Sequence, residues 1–346
     1  MKKKLRILFF IVTIFCYLSV FISPDLFWLM GFLSLSIPLI MLTHFIFLII
    51  YIKSLKRGFF FHLAMIIIGF AFIKVSYSIS SNDDQGAFKV LSYNVRVFNN
   101  YASLKNEAHI SSKKMIGWSV DNDAEVKCFQ EYYNDDKSSI FNVKNRMIDA
   151  GWKYNHFKIV LRDRDKAEFG VAIYSKLPII NHGEIHSENG DFLNSIFADI
   201  LVEDDTIRIY NTHLESMSIN EDNVLNTDKL AKSYKDTGNR LRNGFVSRAK
   251  QVKGLVESIK TCPYKIILCG DLNELPYSYP YFSIRGVLNN AFEKAGNGFG
   301  FSYNGKLFFL RIDNQFFSDE IEIHDFMTHR NINYSDHFPL TAYYSW

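Results

Sequence analysis

Acidic side chains are almost missing from the first 80 residues of this 346-residue chain, where Asp25 stands alone against Lys2, Lys3, Lys4, Arg6, Lys53, Lys56, Arg57 and Lys74. A segment so poor in one sign of charge and so rich in apolar runs excludes an ordinary water-facing surface there. Cysteine is scarce too: four residues with no CxxC spacing exclude a zinc ribbon and a disulfide scaffold. Cys16 falls in an apolar run, whereas Cys128 and Cys269 read as small core residues in strands, with one disulfide among Cys128, Cys262 and Cys269 left open. A basic excess is also lacking. Net charge is +3 and many of the cations sit at the amino-terminal end, so totals give no broad surface for duplex nucleic acid; Arg240, Arg242, Arg248 and Lys250 form the one local cluster. There is no internal repeat or low-complexity tract, and 48% hydrophobic with 16% aromatic residues excludes a disordered chain.

What is present divides near Ser80. A helix needs about 20 apolar residues to cross a bilayer core of about 30 Å, and three segments qualify: 7–24, 27–52 and 59–79. Asp25 after Pro24 marks a tight turn, the Lys53–Gly58 stretch separates the second and third segments, and Pro38 predicts a kink in the second. Lysine and arginine cluster before the first span and after the second, which places both loops in the cytoplasm and everything after Ser80 on the non-cytoplasmic, periplasmic or extracellular side. A cleaved signal peptide fits less well, since two further apolar runs follow and no small-residue cleavage site does. His44, His62 and Lys74 read as anchor residues rather than a proton path.

Residues 80–86 form a polar linker, and a soluble domain occupies 87–346. Short β-branched and aromatic runs recur through it, including FKVLSYNV, VKCFQEYY, TIRIYNTHL and YKIILCGDL; helical spacing appears over 138–150 and over 240–259. Polar residues interrupt the apolar strands at their ends: Asn94, Glu131, His213, Asp271 with Asn273, Asp313, and Asp336 with His337. Burying such groups costs several kcal/mol each unless they are paired or bind a cation, so their repetition points to one shared polar site.

In order, LSYNVR, FQE, YNTHLES, GDLN, RIDNQFF and SDHFPL resemble the endonuclease/exonuclease/phosphatase family, and the resemblance spans 88–345. It implies an α/β (α+β) four-layer sandwich of two mixed β-sheets flanked by helices, here preceded by the transmembrane helical segment. It further implies a Mg²⁺ site, with Mn²⁺ as a substitute, at Glu131, with Asn94 and Asp336 beside it. Asp271 then activates the attacking water and Asn273 positions it. His213 and His337 meet the phosphoryl oxygens, Asp313 pairs with His337, and Glu168 partners His213. Arg96, in NVR, resembles the DNase-like branch and implies a grip on a phosphodiester. Asn314 and Gln315 depart from the family, which often carries an aromatic there, and the WCDR-type signature of inositol phosphatases is missing.

The implied activity is metal-dependent hydrolysis of a phosphate ester, with nucleic acid or a phospholipid headgroup as substrate, the bilayer as partner of residues 1–79, and no protein partner. A phosphomonoesterase acting on a small metabolite or lipid headgroup is the nearer alternative. A catalytically inactive scaffold is the more distant one, and it requires losses from the set above that the sequence does not show. The topology predicts that a reporter fused at Ser80 reads out on the non-cytoplasmic side; a cytoplasmic signal overturns the orientation.

Overall fold

The computed structural model describes residues 3–53, 57–80, 88–104, 108–162, 167–186, 192–217 and 227–346. Strands β1 (Phe88–Asn94), β2 (Val126–Asn134), β3 (Tyr154–Arg162) and β4 (Glu168–Ser175) lie in one sheet. Strands β5 (Ile179–His186), β6 (Phe192–Val202), β7 (Asp205–His213), β8 (Lys265–Asp271), β9 (Asn289–Asn290) and β10 (Asp313–Phe317) form the second. Strands β11 (Glu322–Thr328) and β12 (Leu340–Ser345) return to the first, giving the orders β11-β12-β1-β2-β4-β3 and β5-β6-β7-β8-β10-β9. Each sheet is mixed, because β1 pairs with β2 and β7 with β8 in parallel while the other pairs are antiparallel.

Alternation within the strands explains the layers. Val90, Val126 and Cys128 point between the sheets to meet Ile207, Ile267 and Cys269, whereas Leu91, Tyr93 and Phe129 point outward onto helices. Both faces are buried, and so these strands read as continuous apolar runs rather than alternating ones. Helix α6 (Ala108–Asp121) and helix α7 (Val143–Asp149) cover the first sheet through Met115, Ile116 and Met147. Helix α8 (Thr227–Lys260) and helix α9 (Tyr279–Arg285) cover the second through Val252, Leu255, Ile259 and Ile284. The pattern expected over 138–150 becomes helical only at Val143, since the Ser138 hydroxyl accepts the amides of Ile140 and Phe141 and holds a turn. All four cysteines are free thiols, so the open disulfide is not formed.

The amino-terminal segment departs from three unbroken crossings. It comprises α1 (Lys3–Leu18), α2 (Leu29–Leu35), α3 (Ile37–Tyr51), α4 (Arg57–Ile68) and α5 (Phe70–Lys74). Helices α2 and α3 meet at 41°, because Pro38, lacking an amide hydrogen, is accommodated only in the first turn of a new helix. Gly69 divides α4 from α5. By length and composition, Lys4–Phe21 is the one described helix able to span a bilayer unaided, and the bent α2–α3 pair supplies at most a second. All of the expected linker except Ser80 lies outside the described residues.

This segment shares a core with the second sheet's helices: Cys16, Tyr17, Val20, Ile37 and Phe72 cluster with Leu255, Tyr281 and Ile284. The Phe32 ring meets Phe245 edge-on at 5.2 Å, Arg242 lies 5.1 Å from the Trp28 ring, and Lys253 pairs with Asp25 at 2.7 Å. A Cβ at Gly31 would sit 2.3 Å from the Phe245 ring. Gly31→Val therefore overpacks the α2–α8 contact, an effect of about 1–3 kcal/mol that lowers Tm by roughly 1–4 °C in thermal denaturation; an unchanged Tm would show that α2 does not seat on Phe245.

Candidate active site

Strand register gathers the polar strand ends. The parallel β7–β8 pair sets His213 opposite Asp271, and the antiparallel β8–β10 pair sets Asp271 opposite Asp313, so three chemically capable side chains stand in a row across one sheet. In the facing sheet Asn94 lies beside Gln130. The β7–β8 approach at this point depends on Gly270, where a Cβ would fall 2.3 Å from the Thr212 carbonyl oxygen.

Asp271, 1% exposed, is the hub. Asn94 Nδ2 donates to its Oδ2 at 3.0 Å, the Asn273 amide donates to its Oδ1 at 2.8 Å, and the Nε2 atoms of His213 and His337 lie 3.7 and 3.8 Å from Oδ2. His337 Nδ1 bonds Asp313 Oδ2 at 2.8 Å, and the Tyr303 ring packs edge-on against the imidazole. Burial disfavours the imidazolium, but Asp313 and Asp271 outweigh it and push His337 up to about 10. Burial likewise drives the Asp313 carboxyl up, and His337 opposes that rise. With a second carboxylate at 3.8 Å, imidazolium facing carboxylate is the form this geometry favours.

His213 Nε2 is buried without a hydrogen-bond partner, 3.8 Å from Glu131 Oε1 and 3.7 Å from Asp271. A buried ring nitrogen without a hydrogen-bond partner calls for an explanation, and a ligand oxygen or ordered water would satisfy it. Asp271, Asp313 and His337 bring one donor atom each to within 4.8 Å of one another, yet Asp313 and His337 already satisfy each other. Glu131 and Asp336 are the partly exposed carboxylates at the cleft, and hard oxygen donors of this kind suit Mg²⁺. Asn94, expected beside the metal, has both ends of its amide engaged, since Oδ1 accepts the Arg96 amide at 3.1 Å. The Arg96 side chain turns to Asp336, at 3.3 Å. Asn273 Nδ2 donates to the Leu214 carbonyl at 2.9 Å.

Glu168 does not take the place expected of it. It lies opposite Asn134, beyond the irregularity in β2 that carries Glu131, and its charge acts on Tyr132 and Tyr174; the carboxylates facing His213 are Glu131 and Asp271. The expected basic cluster is also dispersed. Arg248 is fully buried, donating Nε to Glu274 at 2.9 Å and Nη1 to the Glu215 carbonyl at 2.8 Å, while Arg240 pairs with Asp236. Arg248 shares the face of Phe245, Ala249 and Val252, a signal that was available in the spacing. Two buried amides support the site from below: Gln130 Nε2 donates to Asn211 Oδ1 at 2.7 Å, and Gln315 Nε2 reaches the Val90 and Leu340 carbonyls of the opposite sheet. Gln315 thus bridges the two sheets, and Asn314 accepts from Arg311 at 2.6 Å, which gives both departures from the expected pattern a structural role.

Strain marks the same end of the molecule. Glu131 and Asn273 adopt left-handed backbone at φ 48 and 50, and Arg96 to Asn99 form a left-handed turn at φ 44 to 58. Each such non-glycine residue costs on the order of 1 kcal/mol, and asparagine tolerates the conformation better than glutamate. Glu131→Asn is therefore expected to raise Tm by a degree or more while depressing turnover; a fall in Tm would remove strain as the explanation.

The profile of the endonuclease/exonuclease/phosphatase family matches residues 91–337, and a second profile, described as a domain of unknown function, matches 4–76. No curated protein matches the chain. Among solved structures, a mannosyl-6-phosphatase of Bacteroides thetaiotaomicron aligns over 75% of this chain and 100% of its own, at 18% identity and a TM-score of 0.53. A family protein of Bacteroides vulgatus aligns over 75% and 99%, at 16% and 0.54. The catalytic domain of human Nocturnin, with bound sulfate, aligns over 77% and 95%, at 13% and 0.52. These similarities are of fold; taken with the profile over most of the chain, they establish that this protein belongs to the endonuclease/exonuclease/phosphatase family, whose members are hydrolases of phosphate esters.

Proposed function

We propose that the chain is a membrane-anchored, Mg²⁺-dependent phosphoesterase that cleaves a phosphodiester with water activated by Asp271. The observation that carries this reading is the row of His213, Asp271 and Asp313, closed by His337, with the buried His213 Nε2 left without a hydrogen-bond partner beside Glu131 and Asp271. An anionic ester repels an incoming hydroxyl, so turnover needs positive charge on the nonbridging oxygens and a water held in line with the leaving oxygen. His213 and protonated His337 present donors to those oxygens. Asp271, fixed by Asn94 and the Asn273 amide, has a carboxylate oxygen placed to accept the proton of the water. The water oxygen bonds to phosphorus, one P–O ester bond breaks, and the departing oxygen takes a proton. Glu131 and Asp336 would hold Mg²⁺ through their carboxylate oxygens, and the ion would supply further charge neutralisation there.

Anchoring is supported by the surface of the first 80 residues, where Leu5, Leu8, Phe15, Leu39, Ile49 and Ile67 are exposed at a density unsuited to water. With the basic amino terminus in the cytoplasm, a single crossing by Lys4–Phe21 puts the catalytic end on the outer side, and a second crossing by the α2–α3 pair returns it to the cytoplasmic side. With the full chain in detergent, EDTA abolishes and Mg²⁺ restores hydrolysis of bis(p-nitrophenyl) phosphate. Asp271→Asn lowers kcat by roughly 10²–10⁴-fold with Tm preserved, as loss of a general base requires; an undiminished rate takes Asp271 out of the mechanism.

A further inference from the structure

The candidate cleft, about 510 Å³, is lined by side chains of two kinds. Glu131, Asp271, Asn273, Asp336 and His337 supply its catalytic polar wall; Leu35, Met217, Leu241, Leu275, Leu307 and Leu310 supply apolar wall, with Ser216, Thr237, Glu274 and Tyr303 adding further polar groups to the lining. Leu35 is the last residue of α2, at the bend into α3, so the amino-terminal segment contributes part of the wall of the catalytic cleft. We propose, on the basis of the hydrolase reading above, that this cleft takes a lipid phosphate ester, its phosphate on the polar wall and its hydrocarbon chain along the apolar wall toward Leu35.

Charge argues against a polyanion. No lysine or arginine is among the described residues lining the cleft, whereas Glu131, Asp271, Glu274 and Asp336 are. The nearby guanidiniums are committed, Arg248 to Glu274 and Arg96 to Asp336. A nucleic acid strand brings a phosphate for about every 3.4 Å of rise and is gripped by basic grooves with stacking aromatics. Such a strand would set its flanking phosphates against these carboxylates, but a substrate with one phosphate would not. A small polar phosphate ester fits no better, because it would leave the leucine wall in water.

Exposed apolar side chains occur in the same chain segments as the apolar lining. Leu26, Phe27, Trp28 and Leu29, leading into and opening α2, are 80%, 45%, 37% and 39% exposed. Phe308 and Phe309, between the lining residues Leu307 and Leu310, are 59% and 51% exposed. An amphiphile bound in this way lays its chain on the side of the cleft that Leu35 and Leu307 share with these segments.

Three substrates separate the possibilities: p-nitrophenyl methyl phosphate, p-nitrophenyl octyl phosphate and thymidine 5′-(p-nitrophenyl phosphate), each offered with Mg²⁺ to the full chain in phosphatidylcholine nanodiscs. The octyl ester is expected to exceed the methyl ester at least tenfold in kcat/KM. Partition of the octyl chain into the bilayer also raises that ratio, but independently of the cleft, so Leu35→Asp is compared and is expected to lower the ratio at least fivefold. Leu307→Asp, on the sandwich side of the same wall, tests the point again if Leu35→Asp fails to fold. A ratio near one, a preference for the thymidine ester, or a ratio unmoved by both variants overturns the lipid assignment and leaves the hydrolase reading standing. Silence on all three esters sinks that reading and this inference with it.

Discussion

Asp271 is a carboxylate taken almost wholly out of water with no lysine or arginine paired to it among the described residues, and the active end of the fold is organised around making that tolerable. Left unpaired, such a charge would cost several kcal/mol. The Asn94 amide, the Asn273 backbone amide and two imidazole edges share the compensation, and they come from both sheets. Each of these partners needs its own support. Asn94 hands its carbonyl to the Arg96 amide, Asn273 is tied to Leu214, and His337 is held by Asp313, whose amide is in turn bound by Ser302. The two sheets must therefore meet at one register for the charge to be accommodated, and the Gln130–Asn211 and Gln315 bonds between them help set that register.

The amino-terminal helices belong to this arrangement rather than standing apart from it. Arg311, two residues before Asp313, donates to the Val75 carbonyl at the end of α5 at 2.6 Å and to Asn314 at 2.6 Å. Ser78 and Gly298 exchange backbone hydrogen bonds at 3.0 and 2.9 Å. Together with the α2–α8 contact, these bonds join the apolar segment to the sandwich at separate points, so the orientation of the cleft relative to the helices is set by packing and not by a tether alone.

The layering of the sandwich was legible because strands buried on both faces leave uninterrupted apolar runs, and the site was legible because polar residues at the ends of such runs need a common explanation. What could not be read is side-by-side placement. Nothing in the string shows that His213, Asp271 and Asp313 share a row, because that depends on pairings between strands far apart in the chain. Glu168 was misassigned for the same reason: its position in the chain is right for a partner of His213, but the strand enters the sheet opposite Asn134. Hydropathy, averaged over a span, registers neither the restart at Pro38 nor the break at Gly69, and Gly31 reads as ordinary membrane composition until Phe245 is seen against it. Arg248 was counted as surface charge because a lone arginine on an apolar stripe is usually at its margin; here Glu274 lies behind it.

The distance between the two parallel strands of the second sheet is set at Gly270, where even a methyl group would collide with the neighbouring backbone. That contact divides the site into parts with very different freedom to diversify. The leucines lining the cleft project into open space, where a change of side-chain shape meets no backbone. The spacing between His213 and Asp271 has no such latitude, because any side chain at Gly270 would push their strands apart. Novelty in this scaffold is therefore available in what is bound, while the step performed on it is held in place by the absence of a single carbon atom.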